Sequence, residues 1–289
     1  DTYLGLQSYF LDEGLVYKLV PVKVNKSSNP YTEGEVNKEE LYQNMLVDYK
    51  WGNMEKEGIL VDYYTRRHTT NYRIKFYVLA DAYAQDYQVN KQKLSYLEQI
   101  MSQNTEGQSR DSIPTPLGVF VFGEIPDEIA RTKKQLEADK QKATEVLDKA
   151  FEVMPHSQVP FGRIIPQYVA TYYAVENFEK GNRYASQLLD LYAEEMEYFT
   201  SIDPKFAGNM FQDAYGIYRS IFSIYQMVGV DGVDEALVLK AEDMVLDYMQ
   251  RIQQIKWERG NRQMYEQTFG GFFKQIQGFM MQQPQMMQP

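Results

Sequence analysis

The sequence has no cysteine, two histidines and two tryptophans. Without cysteine there are no disulfides, no thiolate nucleophile and no cysteine-built metal centre. His68 and His156 are too few for a histidine-rich metal site unless many carboxylates complete it. No run of about eighteen apolar residues exists, so nothing in this segment reads as a membrane-spanning helix. Basic residues are outnumbered, 30 against 40 acidic, giving a net charge of −10. An acidic chain repels phosphate backbones, which argues against general nucleic-acid binding and against anionic membrane surfaces. The start at Asp1, with no Met, no basic leader and no apolar leader, predicts a piece of a longer chain or a processed product.

What is present suits a folded domain of one or two parts: 289 residues, 44% of them hydrophobic, with 24 tyrosines. The clearest strand signal is Glu13 to Val22. Leu15, Tyr17 and Leu19 alternate with Val16, Lys18 and Val20, and Pro21 ends further pairing on its own N–H side. A lone strand needs a partner. The sequence offers few, so the partner is expected upstream of Asp1, with Val119–Phe122 as the internal substitute. Tyr3–Leu11 reads as a short amphipathic helix and Asn25–Val36 as a loop.

Helices dominate the rest. Asn37 is an N-cap candidate for a helix to Lys50, with Leu41, Met45 and Tyr49 as its buried stripe. Gly52 is available for a left-handed cap after it. A helix is expected from about Asp62 to Tyr87, buried through Tyr72, Phe76, Leu79 and Tyr83, and another from Asn90 to Ser102. Arg66, Arg67, Arg73 and Lys75 read as a solvated basic collar, with docking onto an anionic partner as the sharper alternative. The stretch 104–126, rich in Gly and Pro, reads as a long loop. Beyond it, helices are expected over Asp127–Met154, Ile164–Asn177, Phe178–Ile202, Asp203–Met227 and Val233–Trp257. The end, from Gly270, is rich in Gly, Gln and Met. Phe269, Phe272, Phe273, Phe279 and Met280 would share an apolar face if helical, able to pack on a partner; a frayed end is the blander reading.

A tetratricopeptide-like rhythm runs through the second half. Ala143, Leu147, Ala150 and Pro155 fit the second helix of one unit; Tyr168, Tyr172, Phe178 and Gly181 fit the first helix and turn of the next. The fold expectation is therefore mainly α, with tetratricopeptide-like helical hairpins in the second half and a small strand-bearing N-terminal portion. The expected divisions are 1–60 (strand-bearing junction and first helix), 61–260 (helical repeats, tetratricopeptide-like from about 127) and 261–289 (Met/Gln-rich tail).

No P-loop, dinucleotide fingerprint, zinc-protease motif or nucleophile elbow occurs. Asp12 and Glu13 are adjacent in an extended segment and point opposite ways, so they suit capping or ion pairing better than joint acid–base work. His68, beside Arg66 and Arg67, and His156, after Pro155, read as surface or capping residues. Trp51 is weighed as a core anchor against a platform for a sugar ring. Tyr168, Tyr172 and Tyr173 are weighed as inter-helix packing against a ligand-binding ladder. Ser112, in Asp111-Ser112-Ile113, sits in a short pattern used for bacterial O-glycosylation and is a modification candidate. Asn25-Lys26-Ser27 matches an N-glycan acceptor motif.

Three blocks carry a resemblance: Gly5-Leu6 through Glu13-Gly14-Leu15-Val16-Tyr17-Lys18-Leu19-Val20-Pro21; Tyr42-Gln43-Asn44-Met45 through Trp51-Gly52-Asn53-Met54; and the repeats from Ala143. Over about residues 4–260 the chain resembles the C-terminal periplasmic region of a bacterial family of multi-spanning inner-membrane proteins classed with protein O-mannosyltransferase-like glycosyltransferases. The loop 104–126 and the tail depart from that pattern. The resemblance implies a membrane-embedded parent that carries the catalytic acid elsewhere, so no catalytic residue and no cofactor is assigned to this segment. It implies a periplasmic module that binds a protein partner or a glycan acceptor. A stand-alone helical scaffold in an envelope assembly and a hydrolase with an unrecognised site are the alternatives.

Overall fold

The strand expected near residue 15 finds its partner within the chain. In the computed structural model, residues 3–103, 113–115, 118–120 and 122–281 are described. Strand β2 (Tyr17–Leu19) pairs antiparallel with β1 (Phe10–Asp12), placing Phe10 opposite Leu19 and Asp12 opposite Tyr17. β3 (Glu35–Val36) adds parallel to the other side of β1, giving the order β2-β1-β3. Two expectations are corrected here. The helix expected over 3–11 is a single 3-10 turn at Gln7–Tyr9 that leads into β1. The partner strand is neither upstream nor at Val119, which lies in β5 (Gly118–Phe120) against β4 (Ile113–Thr115).

The rings explain the pairing. Phe10 and Tyr17 stack at 5.4 Å, and Tyr3 meets both edge-on. Such cross-strand aromatic contacts outweigh the weak helix pattern of so short a segment. Gly34, at φ +72°, lets β3 pass beneath the Phe10 carbonyl, where a side chain would clash.

Helix α1 (Lys38–Tyr42) runs on as a π-helical turn, Gln43–Asp48, and buries Leu41 and Met45 completely. Asn37 does not cap it by side chain; its amide donates to Glu13 Oε1 instead. Helix α2 (Tyr63–Gln103) opens on a cap from Asp62, whose Oδ1 accepts Thr65 N–H at 2.7 Å. It continues unbroken for 41 residues, through the break expected near residue 88. Asn90 does not start a new helix: its amide donates to the buried Asp139 at 2.9 Å on α3 (Ile125–Val153). α2 and α3 are antiparallel, since Lys133 pairs with Glu98 while Met154 lies against Arg73. α4 (Ile165–Ala174) packs on both, with the Tyr168 hydroxyl on the Arg73 carbonyl and the Tyr172 hydroxyl on Asp148. It ends in a turn where Glu176 takes the left-handed conformation, φ +55°.

The chain divides into two compact units, Asp1–Asn177 and Phe178–Pro289. These do not follow the divisions expected near 60 and 260. The strands are tied to α2 by an ion pair between Asp12 and Lys75, and the tail helix belongs to the core of the second unit. That unit comprises α5 (Phe178–Ser201), α6 (Phe211–Tyr225), α7 (Glu235–Gln254), α8 (Arg259–Tyr265) and α9 (Gly271–Met281). α5 and α7 are joined by Arg251, which bonds both carboxylate oxygens of Glu197 at 2.5 and 2.8 Å. α9 is ordered and seated: Phe272 packs edge-on to Tyr218 and Phe222, and Phe279 to Phe222 and Tyr225. The frayed-end reading is thus corrected for 271–281, because six phenylalanine-to-α6 contacts outweigh the loss of chain entropy. The fold is mainly α with a small N-terminal sheet.

Candidate binding surface

Trp51 is held from three sides. The π-helical turn before it leaves the Met45 carbonyl without a helical donor, and Trp51 Nε1 donates to it at 3.2 Å. The indole meets Tyr49 at 5.9 Å, Tyr72 at 5.6 Å and Phe76 at 5.0 Å. Gly52 and Asn53, both at positive φ, then turn the chain so that Met54 and Val61 are buried. The expected left-handed position at Gly52 is present, and Asn53 extends it.

This turn leaves a cleft of about 460 Å³, lined among others by Leu15, Tyr49, Trp51, Ile59, Leu60 and Tyr72. Leu15 reaches it from the entry to β2, and its N–H donates to the Tyr49 hydroxyl at 3.4 Å. The cleft is open, and Lys50 and Thr65 line it beside these apolar side chains. Leu60 is 86% exposed, and the adjoining Tyr63 and Tyr64 are 70% and 71% exposed. Large apolar side chains grouped around a cleft, rather than scattered, mark an interaction surface. Trp51 is half-buried, held against Phe76, Tyr49 and Tyr72, and lines the cleft with the rest of its ring.

The other sequence candidates lie elsewhere. Tyr168 and Tyr172 are fully buried, with both hydroxyls taken, and Tyr173 is 8% exposed. Burial pushes the Tyr168 hydroxyl far above its ordinary pKa. These are the contacts of the packing alternative. Ser112 lies outside the described residues.

Of the expected basic collar, Arg66 and Arg67 are exposed, whereas Arg73 and Lys75 turn inward. Arg73 is buried, with its guanidinium donating to the carbonyls of Met154, Val159 and Pro160 at 2.7 to 3.0 Å. Desolvation lowers its pKa. It satisfies the carbonyls at the end of α3, where a cation also complements the helix dipole. Lys75 reaches Asp12 and lies over the Tyr17 ring at 4.4 Å. Asp12 and Glu13 do point apart: Glu13 accepts from Lys18 and Asn37. His156 Nδ1 accepts the Phe161 N–H at 3.0 Å, a loop-capping role.

Sequence reasoning missed Tyr49, Ile59 and Leu60 as surface. The signal was Ile59-Leu60-Val61 after Gly58, an apolar triplet with no helical or strand period around it. Among the described residues no group of His, Asp and Glu could hold a metal ion. The described helices include none long and apolar enough to cross a membrane. No family model, curated protein or solved structure matches the chain.

Proposed function

We propose that this chain is a binding module that acts by docking a protein segment in the Trp51 cleft and performs no chemistry itself. The observation that carries this reading is the cleft of about 460 Å³ with its exposed apolar rim at Ile59 and Leu60. An aromatic-lined pocket with an apolar collar suits an apolar side chain presented by a partner. A glycan acceptor is less well suited, because Trp51 is packed on Phe76. The resemblance of the Glu13–Pro21 and Trp51–Met54 blocks supports a setting on the periplasmic side of the inner membrane, as part of a membrane-embedded parent similar to glycosyltransferases. The tetratricopeptide-like reading belongs to the same proposal. It is supported by complete burial of Ala143 and Leu147.

Site-specific photo-crosslinking from position 60 in native cells tests the reading. The expected result is a discrete protein adduct from position 60 and none from Tyr198, an exposed position of the second unit. No protein adduct from position 60, or the same adducts from both positions, overturns it.

A further inference from the structure

We infer that the free edge of β2 pairs with an extended, acidic peptide segment. The inference rests on the docking reading above and names the partner's chemistry. It begins with register. In β1–β2 every opposed pair follows Phe10↔Leu19, Leu11↔Lys18 and Asp12↔Tyr17, and the Val20 N–H donates to the Tyr9 carbonyl at 2.9 Å. Antiparallel ladders alternate, so Val20 and Lys18 turn their backbone groups toward β1. Tyr17 and Leu19 must turn theirs away, toward the open edge. Leu15 obeys the same phase, because its N–H leaves the sheet for the Tyr49 hydroxyl. No described hydrogen bond uses the outward N–H and C=O groups of Tyr17 and Leu19. An edge of this kind is a template for one more strand.

Natural edges are blunted by charge or proline. Pro21 removes the outward N–H just past Leu19 and so limits pairing to the stretch Leu15–Leu19. Lys18 stands perpendicular to the sheet, as strand side chains do, and does not cover the backbone edge. Its charge is met by Glu13 at 3.2 Å, so the unpaired cations of this ribbon lie just beyond the strand. From Gly14 to Thr32 the chain has Lys18, Lys23 and Lys26 and no acidic residue, within a molecule of net charge −10. Val16, Leu19 and Val22 are exposed along the same ribbon at 75%, 59% and 65%. The edge therefore presents unpaired backbone groups and apolar side chains, with the exposed Lys23 and Lys26 just past its end. An extended segment that alternates apolar and acidic residues meets all three. Its run past Leu15 brings the next side chain to the Trp51 cleft, whose wall Leu15 forms.

Selection from a displayed library of random short peptides tests this. The selected peptides are expected to alternate apolar and acidic residues, and their binding to slow amide exchange at Tyr17 and Leu19. Leu19→Pro removes an outward N–H and an exposed side chain but no hydrogen bond to β1, so binding should be lost while the fold is kept. If that variant does not fold, Leu19→Glu, which leaves the backbone intact and places an acid on the edge, should abolish binding. Joint replacement of Lys18, Lys23 and Lys26 by Gln should weaken binding about tenfold at low salt and flatten its salt dependence. Peptides without acidic residues, no selection at all, or binding unchanged by Leu19→Pro would overturn the inference. So would binding to anionic phosphatidylglycerol vesicles that Leu19→Pro leaves intact, since a lipid surface needs no backbone donor. Leu60→Asp separates the two readings. Loss with Leu19→Pro but not with Leu60→Asp keeps the edge and rejects the cleft; the reverse keeps the cleft and rejects the edge.

Discussion

Asp12 and Lys75 form a buried ion pair, Oδ2 to Nζ 2.6 Å, that fastens the N-terminal sheet to the long helix α2. The Asp12 side chain has no solvent exposure, and Thr32 also donates to Oδ2. A buried pair is weak evidence of net stability, but removing one partner strands the other charge. Lys75→Met is expected to destabilise the first unit by about 3 kcal/mol or more. Adding Asp12→Asn should recover part of the loss, so the double variant falls short of the sum of the singles. Urea unfolding followed by Trp51 fluorescence, in a Trp257→Phe background, measures each corner of the cycle. Additive effects would show that the pair is not coupled.

Arg73 gives a second, independent prediction. One guanidinium satisfies three carbonyls, of Met154, Val159 and Pro160, where α3 ends. Arg73→Met leaves buried acceptors without donors and should cost about 3 kcal/mol. Arg73→Lys keeps the charge but not the planar fork, so it should recover only part of that loss. Equal stability of Arg73→Lys and wild type, in the same unfolding experiment, would reject the fork as the stabilising feature.

These two contacts also show what the sequence could and could not disclose. Helical period alone located α3, α5, α6 and α7 to within a few residues, except that α6 starts at Phe211 after a 3-10 turn at Ala207–Met210. Period also found the buried stripe Phe76, Leu79 and Tyr83. Charge on a helix reads as solvated by default, and Arg73 and Lys75 defeat that default through partners 81 and 63 residues away. β1 and β3 were hidden because strands of three and two residues carry too few side chains to show a period of two. The cleft was only half legible. Trp51 stood out by type, whereas nothing in the triplet Ile59-Leu60-Val61 tells that Leu60 is exposed and Val61 buried.

Gly34 separates backbone geometry from composition. Its φ of +72° and the Phe10 carbonyl above it leave no room for a side chain. Gly34→Ala should cost about 2 kcal/mol or more, from left-handed strain plus displacement of β3. Gly162→Ala is the control, because nothing lies within 4 Å of its added methyl and its φ is ordinary. It should change stability by less than about 0.5 kcal/mol. A thermal melt of both variants checks the contrast; similar shifts would contradict it.

Glu176 ties stability to pH. Its carboxylate accepts from Lys91 and from the Tyr87 hydroxyl, the latter at 2.9 Å. Those hydrogen bonds, Lys91's first, hold its pKa below the ordinary glutamate value. The folded state thus binds the proton less readily than the unfolded state. The stabilisation is complete above the unfolded pKa of about 4.3 and is lost as pH falls through the lower folded value. With the side chain 37% exposed, solvent screening limits the effect to a fraction of a kcal/mol, about 0.5. Glu176→Gln keeps the acceptor oxygen and cannot titrate. Its stability curve should therefore run parallel to wild type above about pH 5 and fall less steeply below about pH 4. Parallel curves across the whole acid range, in urea melts followed by Trp51 fluorescence in the same Trp257→Phe background, would show that Glu176 does not carry this part of the pH dependence.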